Sequence, residues 1–305
     1  MITDDATTFV ESLQQAPMKH CHPSTPKAVF LIEPTQFRVS EQTSKDNRYM
    51  AVKAEVDAAL AIRQHRALAA RIRELGVPVV GFEGQPHTPD DLFCNNVFAT
   101  CAGHLIIGSM KHSERRLEAE RMDIRDYFTD DLGYAVTDLS QLNCVAELTG
   151  CLVIDRGRQV GFCGMSPRVD TSGCEAMHDA FGLQITFCFD LKDEEYHTNV
   201  VMSVLDSRCV VICPDAFKDP RVPSVIATAF DGHVIEISKQ EKLAFAGNCL
   251  ALTARDVMIS EAGFDSLSNA TKEAFCHEGF VLHPIDLSEI EKAGGSVRCC
   301  IGEIY

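Results

Sequence analysis

The chain is poor in basic residues. Of its 305 residues, 28 are Lys or Arg against 44 Asp or Glu, a net charge of −16. Such a surface repels phosphate backbones and anionic lipid, which argues against nucleic acid and membrane surfaces as partners. No run of about 18 apolar residues occurs, the length a membrane-spanning helix needs. Paired CxxC spacings are missing too, although there are 14 cysteines; a zinc framework of that kind is not expected, nor is any other metal or cofactor. The opening 15 residues lack the basic start and apolar run of a secretory signal and instead carry Asp4, Asp5 and Glu11. The expectation is therefore a cytoplasmic chain with reduced thiols, most of them serving as small buried apolar residues. Tryptophan is absent, which excludes nothing. In His20-Cys21-His22-Pro23 the three candidate ligands are too close together for a tetrahedral site. Residues 1–27 read as an irregular lead-in.

What is present suits an ordinary globular domain. Hydrophobic residues make up 46% and charged residues 24%, and a chain this long buries a sizeable core without staples. From Ala28 onward short apolar runs alternate with helical patterns. Ala28–Ile32, Val77–Phe82, His104–Met110, Cys151–Asp155, Gln159–Met165, Val200–Leu205, Arg208–Cys213, His233–Ile237, Cys249–Thr253, Gly279–Pro284 and Val297–Tyr305 predict strands. Tyr49–Leu75, Ser113–Leu132, Cys174–Phe181, Pro223–Phe230, Glu261–His277 and Ser288–Lys292 predict helices. The first of these is stopped by Gly76 and Pro78. Strands outnumber helices about two to one, the mark of a repeated α/β unit with more than one strand per helix. No Gly/Ser/Pro-rich linker interrupts residues 28–305, so a single domain is expected.

Four stretches place polar groups where strand ends meet loops. In Gly294-Gly295-Ser296-Val297-Arg298-Cys299-Cys300 the glycines admit a ligand closely, and a cation beside the thiols favours thiolate. Alternation along a strand would aim one cysteine into a pocket and bury the other; two core cysteines are the competing reading. In His197-Thr198-Asn199 the same alternation puts His and amide on one face, and His is the usual partner of a catalytic thiol; a bonded edge histidine competes. Asp90, Asp91, Asn95 and Asn96 crowd one aromatic stretch and either meet a polar ligand or cap a turn. Glu147 enters an apolar strand, and Arg168 offers a bidentate fork for a carboxylate; a surface ion pair competes.

Taken in order, Pro89–Asn96, Glu147–Asp155, Ser166–Asp170, His197–Ser203, Phe245–Leu250 and Gly294–Tyr305 resemble the guanidino-group-modifying superfamily of arginine deiminases, dimethylarginine dimethylaminohydrolases and amidinotransferases. Within it they are most similar to the citrulline-utilisation branch. The resemblance spans Val29 to the C-terminus. It implies a five-bladed α/β propeller (pentein) of ββαβ units around a polar pocket. It further implies Cys299 as nucleophile, His197 as general acid/base, Glu147 as the partner of the histidine, and Arg168 as the grip on the substrate carboxylate, with Cys300 left for packing. Asp90, Asn95 and Arg298 join the expected binding set.

Two positions depart from the arginine deiminases, which hold the guanidinium with aspartates where Asn96 and Asn199 stand here. A buried guanidinium facing amides loses its charge partners, whereas a neutral ureido group finds both donor and acceptor in an amide. The expected reaction is hydrolysis of citrulline to ornithine, ammonia and carbon dioxide. Alternatives are arginine or methylarginine hydrolysis, amidino transfer, or a non-enzymatic propeller-fold binding protein. The expected partner is a small molecule; self-association stays open.

Overall fold

The computed structural model describes residues 1–15, 22–51 and 55–305. Five small sheets carry one repeated topology. In each, an inner strand pairs antiparallel with a middle strand, and the middle strand pairs parallel with an outer one after a helical connection. Blade one is Gly302–Ile304, Ala28–Glu33 and Val79–Glu83. Blade two is Phe98–Cys101, His104–Ile107 and Ala135–Asp138. Blade three is Leu152–Asp155, Val160–Met165 and Ile185–Asp190; blade four is Met202–Leu205, Cys209–Ile212 and Val234–Glu236. Blade five is Leu250–Ala251, Asp256–Ser260 and Val281–Ile285. The C-terminal strand supplies the inner strand of blade one, so the two ends of the propeller close the ring.

Blade one shows why the units form. The helix Ala58–Glu74 starts where the Asp57 side chain accepts the Leu60 N–H. Ala61, His65, Leu68, Ala69 and Ile72 fall on one helical face and are buried against Val29 and Leu31 of the sheet. Gly76, at φ +82°, ends the element. The expected start at Tyr49 is therefore nine residues too early. The expected helix Ser113–Leu132 is broken at Arg121, whose extended backbone (ψ 99°) lets its buried guanidinium reach the Glu83 carbonyl and Asp123.

The N-terminal lead-in is not irregular. Ile2–Thr3 extend the third sheet by pairing with Thr186 and Phe187. Ala6–Gln15 form a helix whose Phe9 is fully buried and stacked on Phe187 at 4.7 Å. Burying a phenylalanine contributes about 2–3 kcal/mol, enough to dock a ten-residue helix that would not hold alone in water. His20 and Cys21 lie outside the described residues.

A second repeated feature positions the site. Ahead of each inner strand the chain makes one tight turn: Cys94–Asn96, Leu148–Cys151, Thr198–Val201 and Val297–Cys300 are single helical turns. Ahead of Leu250 a turn closes with Asn248 N–H donating to the Phe245 carbonyl at 2.9 Å. Three of these stretches overlap expected strands (Cys151–Asp155, Val200–Leu205 and Val297–Tyr305); a four-residue turn is too short to show helical periodicity.

Candidate active site

The turns bring Asn96, Glu147, His197, Asn248 and Cys299 toward the axis from five different blades. Glu147 and His197 immediately precede their turns, so each side chain leaves the backbone at the axis end of its blade. His197 and Glu147 are both fully buried. His197 Nε2 donates to Glu147 Oε2 at 2.8 Å, and Arg168 Nη1 donates to the same oxygen at 3.0 Å. The other carboxylate oxygen takes the Lys111 N–H at 3.3 Å. Burial alone would raise the Glu147 carboxyl; Arg168 and His197 override it and hold the group well below its ordinary range. Burial pushes His197 down to about 4, and the attraction of Glu147 does not restore it against Arg168 and Arg115. The imidazole is thus neutral at pH 7. Because Nε2 is the donor, its buried Nδ1 is a free acceptor with no protein partner.

Gly150 is the floor under that ring. A Cβ there would lie 2.7 Å from Asn96 Oδ1, 2.8 Å from His197 Cε1 and 2.9 Å from His197 Nδ1. Only a hydrogen fits, and the unpartnered Asn96 Oδ1 and His197 Nδ1 therefore sit side by side. Cys299 is fully buried, its Sγ 3.4 Å from Asn248 Nδ2 and 3.9 Å from Asn199 Oδ1. Burial pushes the thiol up, against a smaller lowering by hydrogen bonds from the Ser296 turn and Asn248. The resting pair is a neutral thiol and a neutral imidazole, not the thiolate that a neighbouring arginine would have favoured.

The opposite end of the cavity is ionic. Asp90 accepts from Thr43 Oγ1 at 2.5 Å through one oxygen, while its other oxygen has no partner. Burial raises this carboxyl against the pull of Arg115. Arg115 is held by Glu118 at 2.9 Å and by the Phe93 carbonyl at 3.1 Å. A strap, residues 35–50, lies across the top. Its Asp46 takes Arg168 at 2.5 Å, Lys111 at 2.5 Å and His112 at 3.1 Å. Burial opposes ionisation of Asp46, but the charge of Arg168 and the hydrogen bonds from Lys111, Arg168 and His112 hold its carboxyl at about 2. Asn47 Nδ2 donates to the Gly294 carbonyl at 3.2 Å. Gly294 itself stands at φ +79°, where a Cβ would lie 2.4 Å from Asn47 Nδ2. The space left beneath the strap is about 10 Å³, room for roughly one water-sized sphere. A molecule the size of an amino acid does not fit in that space.

Of the residues expected from sequence, Cys299, His197, Asn96, Arg168 and Asp90 line this one cavity, and Glu147 stands behind His197. Arg168 is engaged internally by Glu147, Asp46 and the Thr43 carbonyl, so in this closed state it holds the strap. Asn95 is turned away and bonds Thr149 Oγ1 at 3.3 Å. Arg298 is a correction: it faces a separate small cavity with Asn199, Ser203 and Glu303, and binds Glu303 at 2.6 Å. Asn199 lines that second cavity too rather than sharing a face with His197. For Asn199 the physical reason is that residues two apart share a face on a strand but point about 160° apart on a helical turn, which turns about 100° per residue; Arg298, next to Cys299 on its own turn, is likewise carried to the other side. For the same reason Cys299 and Cys300 are sorted by the turn, not by strand alternation; Cys300 packs in the core. Sequence reading missed Asp46, Thr43, Asn47, Arg115 and Asn248. Arg115 with Glu118 reads as a surface i,i+3 pair, and only Asn248 lay inside a quoted run.

The chain matches the family model of N,N dimethylarginine dimethylhydrolase, eukaryotic, over residues 33–305. An uncharacterized protein of Caenorhabditis elegans, ZK1307.1, is 26% identical over 279 residues, 90% of this chain and 92% of that one. The N(G),N(G)-dimethylarginine dimethylaminohydrolase of Mycobacterium tuberculosis is 25% identical over 262 residues, 85% of this chain and 80% of that one. Among solved structures, the substrate-bound N-terminal domain of ArgZ, an arginine dihydrolase of cyanobacteria, superposes with a TM-score of 0.79 at 20% identity, over 91% of this chain and 97% of that domain. At that identity the last likeness speaks for the pentein fold.

Proposed function

The chain belongs to the N,N dimethylarginine dimethylhydrolase family, and on that premise we propose that it is a thiol-dependent hydrolase of the ureido or guanidino C–N bond of an arginine-like amino acid, with Cys299 as nucleophile. The family makes it a hydrolase of non-peptide C–N bonds; the residues and the substrate are our reading. The observation that supports it is the unpartnered Nδ1 of His197, held by Glu147 inside the cavity that Cys299 also lines. His197 Nδ1 takes the thiol proton, and the thiolate adds to the head-group carbon. The imidazolium, stabilised by Glu147, returns the proton to the leaving nitrogen. A covalent thioester-like adduct remains; water, deprotonated by His197, releases it. The α-ammonium meets the free oxygen of Asp90, and Arg115 with Arg168 hold the carboxylate once Asp46 withdraws.

Citrulline is the substrate this site suits best. Glu147 is spent on Arg168 and His197, and the amide that lines the cavity with His197 and Cys299 is Asn96, its Oδ1 unpartnered. An amide donates and accepts, matching a neutral ureido group. Hydrolysis then gives ornithine, ammonia and carbon dioxide. Arginine or methylarginine is the second reading, favoured by the family itself. Mass spectrometry of products from citrulline, arginine and dimethylarginine, with Cys299→Ala as control, separates them. Ornithine from citrulline alone supports the first reading; products from a guanidino substrate with citrulline untouched overturn it. No turnover of any of the three removes the proposal.

A further inference from the structure

Blade three carries a cluster of thiols that the reaction does not use. Cys163 and Cys188 are register partners on neighbouring parallel strands, so both side chains leave the same face of the sheet. The helix Thr171–Ala180 packs over that face and adds Cys174, whose Sγ is 3.3 Å from Cys188 Sγ. All three are free thiols. A cavity of about 480 Å³, separate from that of His197, is lined by Cys174 and Cys188 beside Glu175, Asp190 and Lys218. Cys163 does not line it and is fully buried behind the pair. The part-exposed Cys188 and the Cys174 beside it, 2% exposed, thus form part of the cavity wall, with a third thiol at their backs. Hydrogen bonds from Cys163 and then Cys188 draw the Cys174 thiol down, whereas burial pushes Cys299 up.

We propose that Cys174 and Cys188 are a redox-modification site that closes to a reversible disulfide on contact with a hydroperoxide. The Cys174 thiolate attacks one peroxide oxygen; an S–O bond forms, the O–O bond breaks, and the departing hydroxide takes a proton to leave as water. Cys188 then attacks the Cys174 sulfenic sulfur, an S–S bond forms, and the hydroxyl leaves as a second water. Two thiols lose two electrons and one hydrogen peroxide becomes two waters. Closure from 3.3 Å to a bonded distance takes about 1.2 Å of approach, within reach of χ1 adjustment. The disulfide ties the helix to the outer strand just beyond the loop that carries Arg168, while the catalytic thiol, mostly protonated, is the slower target.

The test is oxidation of the reduced full-length chain with one equivalent of hydrogen peroxide, followed by alkylation of remaining thiols and peptide mass spectrometry. The expected first product is two hydrogens lighter, with the Cys174 and Cys188 peptides cross-linked and the link reversed by a dithiol reductant. In Cys188→Ser the reaction stops at a Cys174 sulfenic acid, captured by a 1,3-diketone. First oxidation at Cys276 or Cys299 with Cys174 and Cys188 still alkylated overturns the proposal. So does a cross-link made through Cys163 in place of Cys188. The wild-type experiment stands alone should the variant fail to fold.

Discussion

Replacing Gly150 by alanine tests the geometry at a residue that has no chemistry of its own. The backbone there has no positive φ, so alanine is conformationally acceptable, and within a helical turn it gains up to about 1 kcal/mol over glycine. The added methyl lies 2.7 to 2.9 Å from Asn96 Oδ1 and the His197 ring. Ordinary contact begins near 3.4 Å, so the ring must retreat by roughly half an ångström. A misplacement of 1 Å in a catalytic group costs on the order of 100-fold, and the same retreat stretches the 2.8 Å bond to Glu147 toward the limit of hydrogen bonding. The expectation is a folded protein with a melting temperature within a few degrees of wild type and kcat/KM lowered about 10- to 100-fold, most of it in kcat. The assay pairs steady-state product formation with calorimetry on the same preparation. Activity within threefold of wild type, at unchanged stability, refutes the placement of His197 as the proton carrier.

Three further expectations follow from the same geometry. Cys299→Ser abolishes turnover and labelling by an electrophilic amidine such as 2-chloroacetamidine, while Cys300→Ser keeps kcat within several-fold; equal losses in both would count against the assignment. Asp46→Ala releases the strap from Arg168, Lys111 and His112; limited proteolysis should cut within residues 35–50 at least tenfold faster than in wild type, and an unchanged rate means that the strap is held elsewhere. His65, 4% exposed with neither ring nitrogen bonded, is held by burial at about 4 in the folded chain against 6.5 unfolded. The unfolded state therefore binds the extra proton, and stability is lost as pH falls from 6.5 toward 4, by up to about 3 kcal/mol; in His65→Met, denaturant unfolding at pH 5 and pH 7 should differ less than in wild type.

How much of this was legible before the fold was seen depends on the range of the interactions. Glu147, His197 and Cys299 each stood beside a recognisable apolar run, and their order along the chain identified the propeller that gathers them. The direction of each side chain was not legible. Asn199 was assigned to the cavity by strand alternation with His197, and the single turn at Thr198–Val201 rotates it to the far side; Arg298 was expected there as the cation beside the thiols, and on the turn Val297–Cys300 it faces the second cavity instead. Nor was the role of Asp46, whose contact with Arg168 spans 122 residues and is marked by no local pattern. The helix Ala6–Gln15 was missed because its reason for existing, the slot that Phe9 fills against Phe187, is built by residues far along the chain. Four short strands (Phe98–Cys101, Ala135–Asp138, Ile185–Asp190 and Asp256–Ser260) also escaped; Ala135–Asp138 buries none of its residues fully, so it shows little hydrophobic contrast.

The strand that seals the ring, Gly302–Ile304 against Ala28–Phe30, begins three residues after Cys299. The segment that closes the ring and the thiol proposed as nucleophile are therefore one short stretch of chain. A variant whose final strand fails to pair with Ala28–Phe30 is expected to lose the first blade and the placement of Cys299 together.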